Sequence, residues 1–123
     1  MTGTSRRIAD VDVLVCDPDG PALDGERSAV DLVGEALGAG ASLVAIPVSR
    51  LSPNFLTLSN RKAGEAIQKF VNYGLKVAFV GDVSGAVSAS DALRDFVRES
   101  NRGRHVWFVE DMAALEARIA GAV

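Results

Sequence analysis

The sequence predicts a single compact α/β domain with a mainly parallel sheet of four to five strands and about four helices. Three observations carry that expectation: four short apolar runs, intervening stretches with helical spacing, and a length that suits one domain. The runs are VDVLVC (11–16), LVAIPV (43–48), LKVAFV (75–80) and HVWFV (105–109). Each is nearly continuous in apolar residues and ends in polar or turn residues, as strands covered on both faces do. The chain has 123 residues, 48% of them hydrophobic, which is one domain's length with enough apolar side chain for a core.

Residues 1–10, MTGTSRRIAD, hold no apolar run and are expected to form a flexible N-terminus, with the domain itself spanning 11–121. After the first run, DPDGPAL (17–23) is dense in turn residues, and Ala22 and Leu23 are expected to add a short extra strand. Residues 26–38 place Val30, Val33 and Leu37 on one stripe and stop at Gly38 and Gly40. Residues 62–73 align Ala63, Ala66, Ile67, Phe70 and Val71, and residues 89–100 align Ala89, Ala92, Leu93, Phe96 and Val97. A last helix over 111–120 carries Met112, Leu115 and Ile119 behind Asp111 as its cap. Strand and helix thus alternate four times, the pattern of βα crossover units.

The stretch ESNRGRHVWFV (99–109) gathers two arginines, the one histidine and the one tryptophan. It reads as a joint between helix and strand. Asn101 and Gly103 tolerate the left-handed backbone that ends a helix, and Arg98 and Arg102 complement its carbonyl end. That end offers carbonyls rather than the amides that cradle phosphate. His105 and Trp107 then face one side of the following strand, with Val106 and Phe108 on the other.

A formal charge of −3 speaks against a protein built to grip nucleic acid or an anionic membrane. Acids crowd 17–35 while bases gather at 61–62 and 94–104. The single cysteine, Cys16, rules out an internal disulfide and fits a reducing cytoplasm. No segment approaches the ~20 apolar residues of a membrane span, and MTGTSRRIADVDV lacks the apolar core of a signal peptide.

Three blocks carry a family resemblance: LVGEALGAGASLVAIPVSRLSPNFL (32–56), AGEAIQKFVNYGLKVAFVGD (63–82) and DALRDFVRESNRGRHVWFV (91–109). Through them the chain resembles, from about Val11 to Ile119, the bacterial family termed domain of unknown function 4180. The resemblance implies a small stand-alone cytoplasmic protein and carries no activity over. More distantly, the order of elements is similar to STAS domains, the sulfate-transporter and anti-sigma-antagonist fold, which implies a STAS-like arrangement. That step concerns fold alone. The Asp-Ser-Ser-Gly turn of the antagonists is replaced here by LTLSNRKAG, which leaves Thr57 and Ser59 as phosphorylation candidates without the motif.

Ligands of parallel α/β sheets bind beyond the carboxyl ends of the strands. Here those ends offer Asp17 and Asp19, Ser49 and Arg50, Asp82 and Ser84, and Glu110 and Asp111. VLVCDPDG invites comparison with receiver domains, but the phosphate-accepting aspartate after 43–48 and the lysine after 105–109 are absent. The acids read as turn formers and helix caps, so no metal site is assigned and no cofactor is indicated. GDVSGAVSASD (81–91) is a glycine- and serine-rich loop without the spacing of a P-loop or a dinucleotide fingerprint. Its following helix is expected to be capped by Ser88 or Ser90. Candidate ligand-binding residues are therefore Asp82, Ser84, Ser88, Glu65 and Arg50. Glu65 is otherwise expected to pair with Lys69 four residues on.

The reading that follows is a non-enzymatic cytoplasmic module that binds a protein partner or small molecule in a regulatory setting. Self-association as a homodimer, through a helix face or an edge strand, goes with it. The alternative is a small enzyme using Asp82, Ser84 and Glu65. A ligand-sized cavity lined by those residues would favour the enzyme; an apolar surface around Phe55, Leu56 and Leu58 would favour the partner-binding module.

Overall fold

The computed structural model of the chain describes residues 3–121. Its elements run β1 (Gly3–Ile8), β2 (Val11–Cys16), α1 (Glu26–Gly38), β3 (Leu43–Pro47), α2 (Lys62–Asn72), β4 (Lys76–Val80), α3 (Ser84–Ala89), α4 (Asp91–Arg102), β5 (Val106–Val109) and α5 (Met112–Gly121). Short 3₁₀ turns occupy Val48–Arg50 and Leu58–Asn60. The five strands lie in the order β1-β2-β3-β4-β5. Strands β2 to β5 are parallel, and β1 pairs antiparallel with β2. The predicted α/β class and mainly parallel sheet are thus observed.

Because each crossover steps the same way along the sheet, right-handed connections put successive helices on one face. The core divides accordingly. Leu14, Val44, Ile46, Val77, Phe79 and Phe108 point toward α1, α2 and α4. Val13, Leu43, Ala45, Ala78 and Trp107 point the other way, where Leu115 and Ile119 of α5 cover them. Alternate strand residues feed the two clusters, which is why the runs read as continuously apolar. Val106 and Phe108 do face opposite Trp107.

Four expectations need correction. Residues 3–8 are not a flexible tail but strand β1, turned into β2 by Ala9 and Asp10 at φ 47° and 68°; Met1 and Thr2 lie outside the described residues. On α1 the buried residues are Ala29, Leu32, Val33 and Ala36, while Val30 and Leu37 are 45% and 49% exposed. Two alanines toward the sheet let the helix lie close, which rotates the stripe from the one the larger residues suggest. The 81–91 loop contains a helix of its own, α3, started by Asp82, whose carboxylate accepts the Ser84 amide at 2.8 Å. Helix α4 therefore begins at Asp91, with Ser90 accepting from the Leu93 amide at 3.1 Å as its cap. Finally, Ala22 and Leu23 form no strand; Leu23 alone makes a bridge, to Leu51.

The 99–109 joint does more than connect. Gly103 ends α4 in extended backbone, not the left-handed form. The Trp107 indole donates to the Gly103 carbonyl at 2.9 Å, and Arg118 lies 4.8 Å over the indole while also donating to the Asn101 carbonyl. On the outer side of β5, the Phe108 amide donates to Asn101 Oδ1 at 2.7 Å. One sheet edge is thereby closed by a side chain. Asn101→Ala leaves that amide without its acceptor and is expected to cost about 1–3 kcal/mol in urea unfolding. Faster hydrogen exchange at Phe108 should accompany the loss; an unchanged exchange rate would remove this role for Asn101.

Candidate functional site

Two concavities lie toward the carboxyl ends of the strands, and they differ in kind. The first is a cavity of about 110 Å³ beside β2 and the start of α1, lined by Leu23, Ser28, Asp31, Leu32, Glu35 and Arg50 together with Pro21 and Ala22. Arg50 is only 3% exposed, the single charged residue buried to that degree among the described residues. Its guanidinium is turned inward on the loop that follows β2. Nε and Nη2 donate to the Pro21 carbonyl at 2.9 and 2.7 Å, and Nη1 donates to the Asp17 carbonyl at 3.2 Å.

The loop conforms to that grip. Gly20 sits against the guanidinium so closely that a Cβ there would lie 2.6 Å from Arg50 Cζ. Main-chain bonds from Leu23 to the Arg50 carbonyl (2.7 Å) and from Ser52 to the Leu23 carbonyl (3.0 Å) sew the two loops together. Arg50 therefore acts as a strap, fixing 17–23 against the end of β3.

Cys16, at the end of β2 and within reach of the Arg50 charge, is buried. Burial pushes its thiol up to about 11; the Arg50 charge opposes the rise, and Glu35 and Asp17 add to it. A folded value above the ordinary thiol value of 9.0 favours the folded state below that ordinary value, and the advantage is lost as pH climbs through the folded value. Relative to Cys16→Val, the native protein should lose about 2–3 kcal/mol of stability between about pH 8 and pH 11. Parallel stability curves for the two would dismiss the effect.

The second concavity is a cleft of about 410 Å³ between the 53–60 loop and the α3–α4 junction. Leu56 and Leu58 form one wall; Ala86, Ala89, Ala92 and Leu93 form the other; Pro53, Thr57, Ser59 and Ser90 complete the lining. No charged side chain lines it. The loop is held by its own turns: Phe55, Thr57 and Asn60 amides donate to carbonyls three residues back, and the Asn60 side chain donates to the Asn54 carbonyl at 2.7 Å. Asn60 Oδ1 also accepts the Lys62 amide at 2.9 Å, tying the loop to the start of α2. Phe55 is fully buried beneath, its ring 6.0 Å from that of Phe79. Phe55 therefore adds nothing to the surface, and Leu56 and Leu58 are half-buried, packed against the core beneath. Short alanine side chains opposite them leave the space.

The sequence-predicted residues do not converge. Arg50 lines the small cavity, whereas Asp82, Ser84, Ser88 and Glu65 line neither concavity. Asp82 is engaged locally: the Ser84 hydroxyl and amide hold its carboxyl below the usual range. Ser88 lies exposed within α3, and Glu65 is exposed in the first turn of α2. The expected Glu65–Lys69 pair is replaced by Lys69 with Glu26 of α1, at 3.1 Å, since α2 packs on α1. A second link joins the same region, Lys62 to Asp24 at 2.8 Å, and this hydrogen bond holds the Asp24 carboxyl below its usual range. Thr57 and Ser59, by contrast, are exposed on the cleft's lining. The helical periodicity marks Ala89 and Ala92 as part of a stripe and Ala86 not at all, none of them as cleft residues; their spacing of three was the available signal. Among the described residues, no three of His, Cys, Asp and Glu come together in a group that could hold a metal ion, and no helix is long and apolar enough to cross a membrane.

Sequential strand order, a helical layer on one face and a lone helix on the other define a small, singly wound α/β protein. The chain belongs to the family described as Domain of unknown function (DUF4180), which it matches over residues 8–119. No match was found among curated proteins or among solved structures.

Proposed function

We propose that the protein is a cytoplasmic, non-enzymatic regulatory module that takes apolar side chains of a protein partner into the cleft between Leu56–Leu58 and Ala86–Leu93. The observation that carries this reading is the lining itself: apolar walls with a few hydroxyls and no charge, in a volume within the range of ligand-binding clefts. Such a surface gains from burying apolar area and offers hydrogen bonds for orientation. The competing enzyme reading asks for Asp82, Ser84 and Glu65 around one cavity, and the cleft has none of them. The order of elements supports a STAS-like arrangement as the scaffold, a likeness of fold that supplies no activity.

A photo-crosslinking residue in place of Ala89, within the cleft, tests this in the native host against the same residue in place of Glu99, exposed elsewhere on α4. Position 89 should give a discrete protein adduct that Ala92→Arg, which fills the cleft from an exposed helix position, abolishes. Equal adducts from both positions, or none from position 89, would sink the reading.

A further inference from the structure

We infer that the protein forms a two-fold dimer in which β1 pairs antiparallel with β1 of a second copy, centred on Ser5, to make one continuous sheet. The inference stands apart from the cleft, which lies at the other side of β3.

Strand β1 is an edge of the sheet, and its register with β2 runs without a bulge from Ile8↔Val11 to Gly3↔Cys16. In a hairpin with a two-residue turn, the closing pair exchanges main-chain hydrogen bonds, and every second pair beyond it does likewise. Ile8, Arg6 and Thr4 therefore bond inward to β2. The amides and carbonyls of Gly3, Ser5 and Arg7 face outward. At the opposite edge Asn101 occupies the corresponding outward amide of β5; on β1 the outward groups of Ser5 and Arg7 belong to exposed residues, while Gly3 at the start of the strand is buried.

Sheet proteins blunt open edges with proline, bulges or free charge. Strand β1 contains no proline and no bulge. It does carry two arginines, but each is matched within its own chain: Arg6 with Glu116, and Arg7 with Asp12 at 3.3 Å and Asp10 at 3.8 Å. The strand's net charge is thus offset within the chain, which leaves repulsion chiefly where two guanidinium groups stand directly opposite.

Register follows from the same residues. Outward-facing residues must oppose one another, so the two-fold can fall on residue 4, 5, 6 or 7. Centres at 6 and 7 set Arg6 or Arg7 against its own copy, and like charges directly opposed are unfavourable. A centre at 4 pairs only residues 3–5 of the strand. Centring on Ser5 pairs residues 3–7: Ser5 meets Ser5, Arg6 meets Thr4, and Arg7 passes over Gly3. That register alone combines long overlap with no opposed arginines.

The test uses the full chain in sedimentation velocity across a concentration series, with Ser5→Pro and Ser5→Lys. The Ser5 amide faces water in one copy alone, so proline there leaves the β1–β2 ladder whole. A dimer is expected whose dissociation constant rises roughly ten- to hundredfold in Ser5→Pro, through loss of the two central bonds, with thermal unfolding of the monomer unchanged. Should Ser5→Pro fail to fold, Ser5→Lys decides by opposing two cations. A short bismaleimide should also link Ser5→Cys to itself and leave Arg98→Cys, exposed on α4, unlinked. A chain that stays monomeric at all concentrations, a dimer indifferent to both Ser5 variants, or equal linking at positions 5 and 98 would each overturn the inference.

Discussion

Arg50→Ala is expected to destabilise the protein by about 3–5 kcal/mol, because it removes a buried guanidinium together with the bonds by which it holds the part-buried carbonyls of the 17–23 loop. In the native fold, three nitrogens of this side chain are committed to the carbonyls of Pro21 and Asp17. Alanine takes the guanidinium from both carbonyls, leaving Asp17 with the Gly20 amide at 3.3 Å, and removes the positive charge that sits beside Cys16 and Glu35. Each polar group so abandoned costs about 1–3 kcal/mol. For a chain of this size the melting temperature should fall by roughly 10–20 °C. Lysine is expected to restore less than half of the loss, since an ammonium cannot fork across the two carbonyls. Gly20→Ala approaches the same contact from the loop side and should weaken it by crowding the guanidinium. Urea unfolding of the three variants checks the set. A cost below about 1 kcal/mol for Arg50→Ala would mean that the 17–23 loop is held by other means.

Much of this architecture could be read from residue order alone, and where it could not the reason is physical. The four parallel strands were legible because each is buried on both faces and so appears as an unbroken apolar run. Strand β1 is polar on both faces at a sheet edge, and its turn uses Ala9 and Asp10 in the left-handed region instead of Asn-Gly, so neither strand nor turn left its usual mark. The stripe on α1 was misplaced because the periodicity of large side chains competes with the need for small ones at a close helix–sheet contact. At the site, Arg50 was visible as a charge at a strand end, but its inward direction depends on a loop thirty residues earlier in the chain. Long-range contacts of that sort have no local signature. The cleft was half legible: Leu56 and Leu58 stood out as apolar loop residues, while the alanines opposite matter for what they lack.

Phe55→Ala is expected to cost about 3–5 kcal/mol and to dismantle the cleft along with the core beneath it. The ring is fully buried and stands 6.0 Å from Phe79, which in turn stacks 5.0 Å from Phe108. Through this chain of rings the 53–60 loop is anchored to the centre of the sheet. The turn bonds keep the loop's shape and Asn60 ties it to α2, while Phe55 is its one fully buried side chain in the core. Truncating it opens a cavity that the sheet cannot fill and frees Leu56 and Leu58 from their seat. Leu58→Ala acts differently, because that side chain is half-buried: it should cost about 1 kcal/mol in stability while removing a wall of the cleft directly. The two variants separate anchoring from contact. Crosslinking through position 89 should fall in both, but only Phe55→Ala should shift the urea midpoint strongly. If Phe55→Ala unfolds at the native midpoint, or if its adduct yield matches that of the native chain, then the loop does not depend on this ring and the cleft is built some other way.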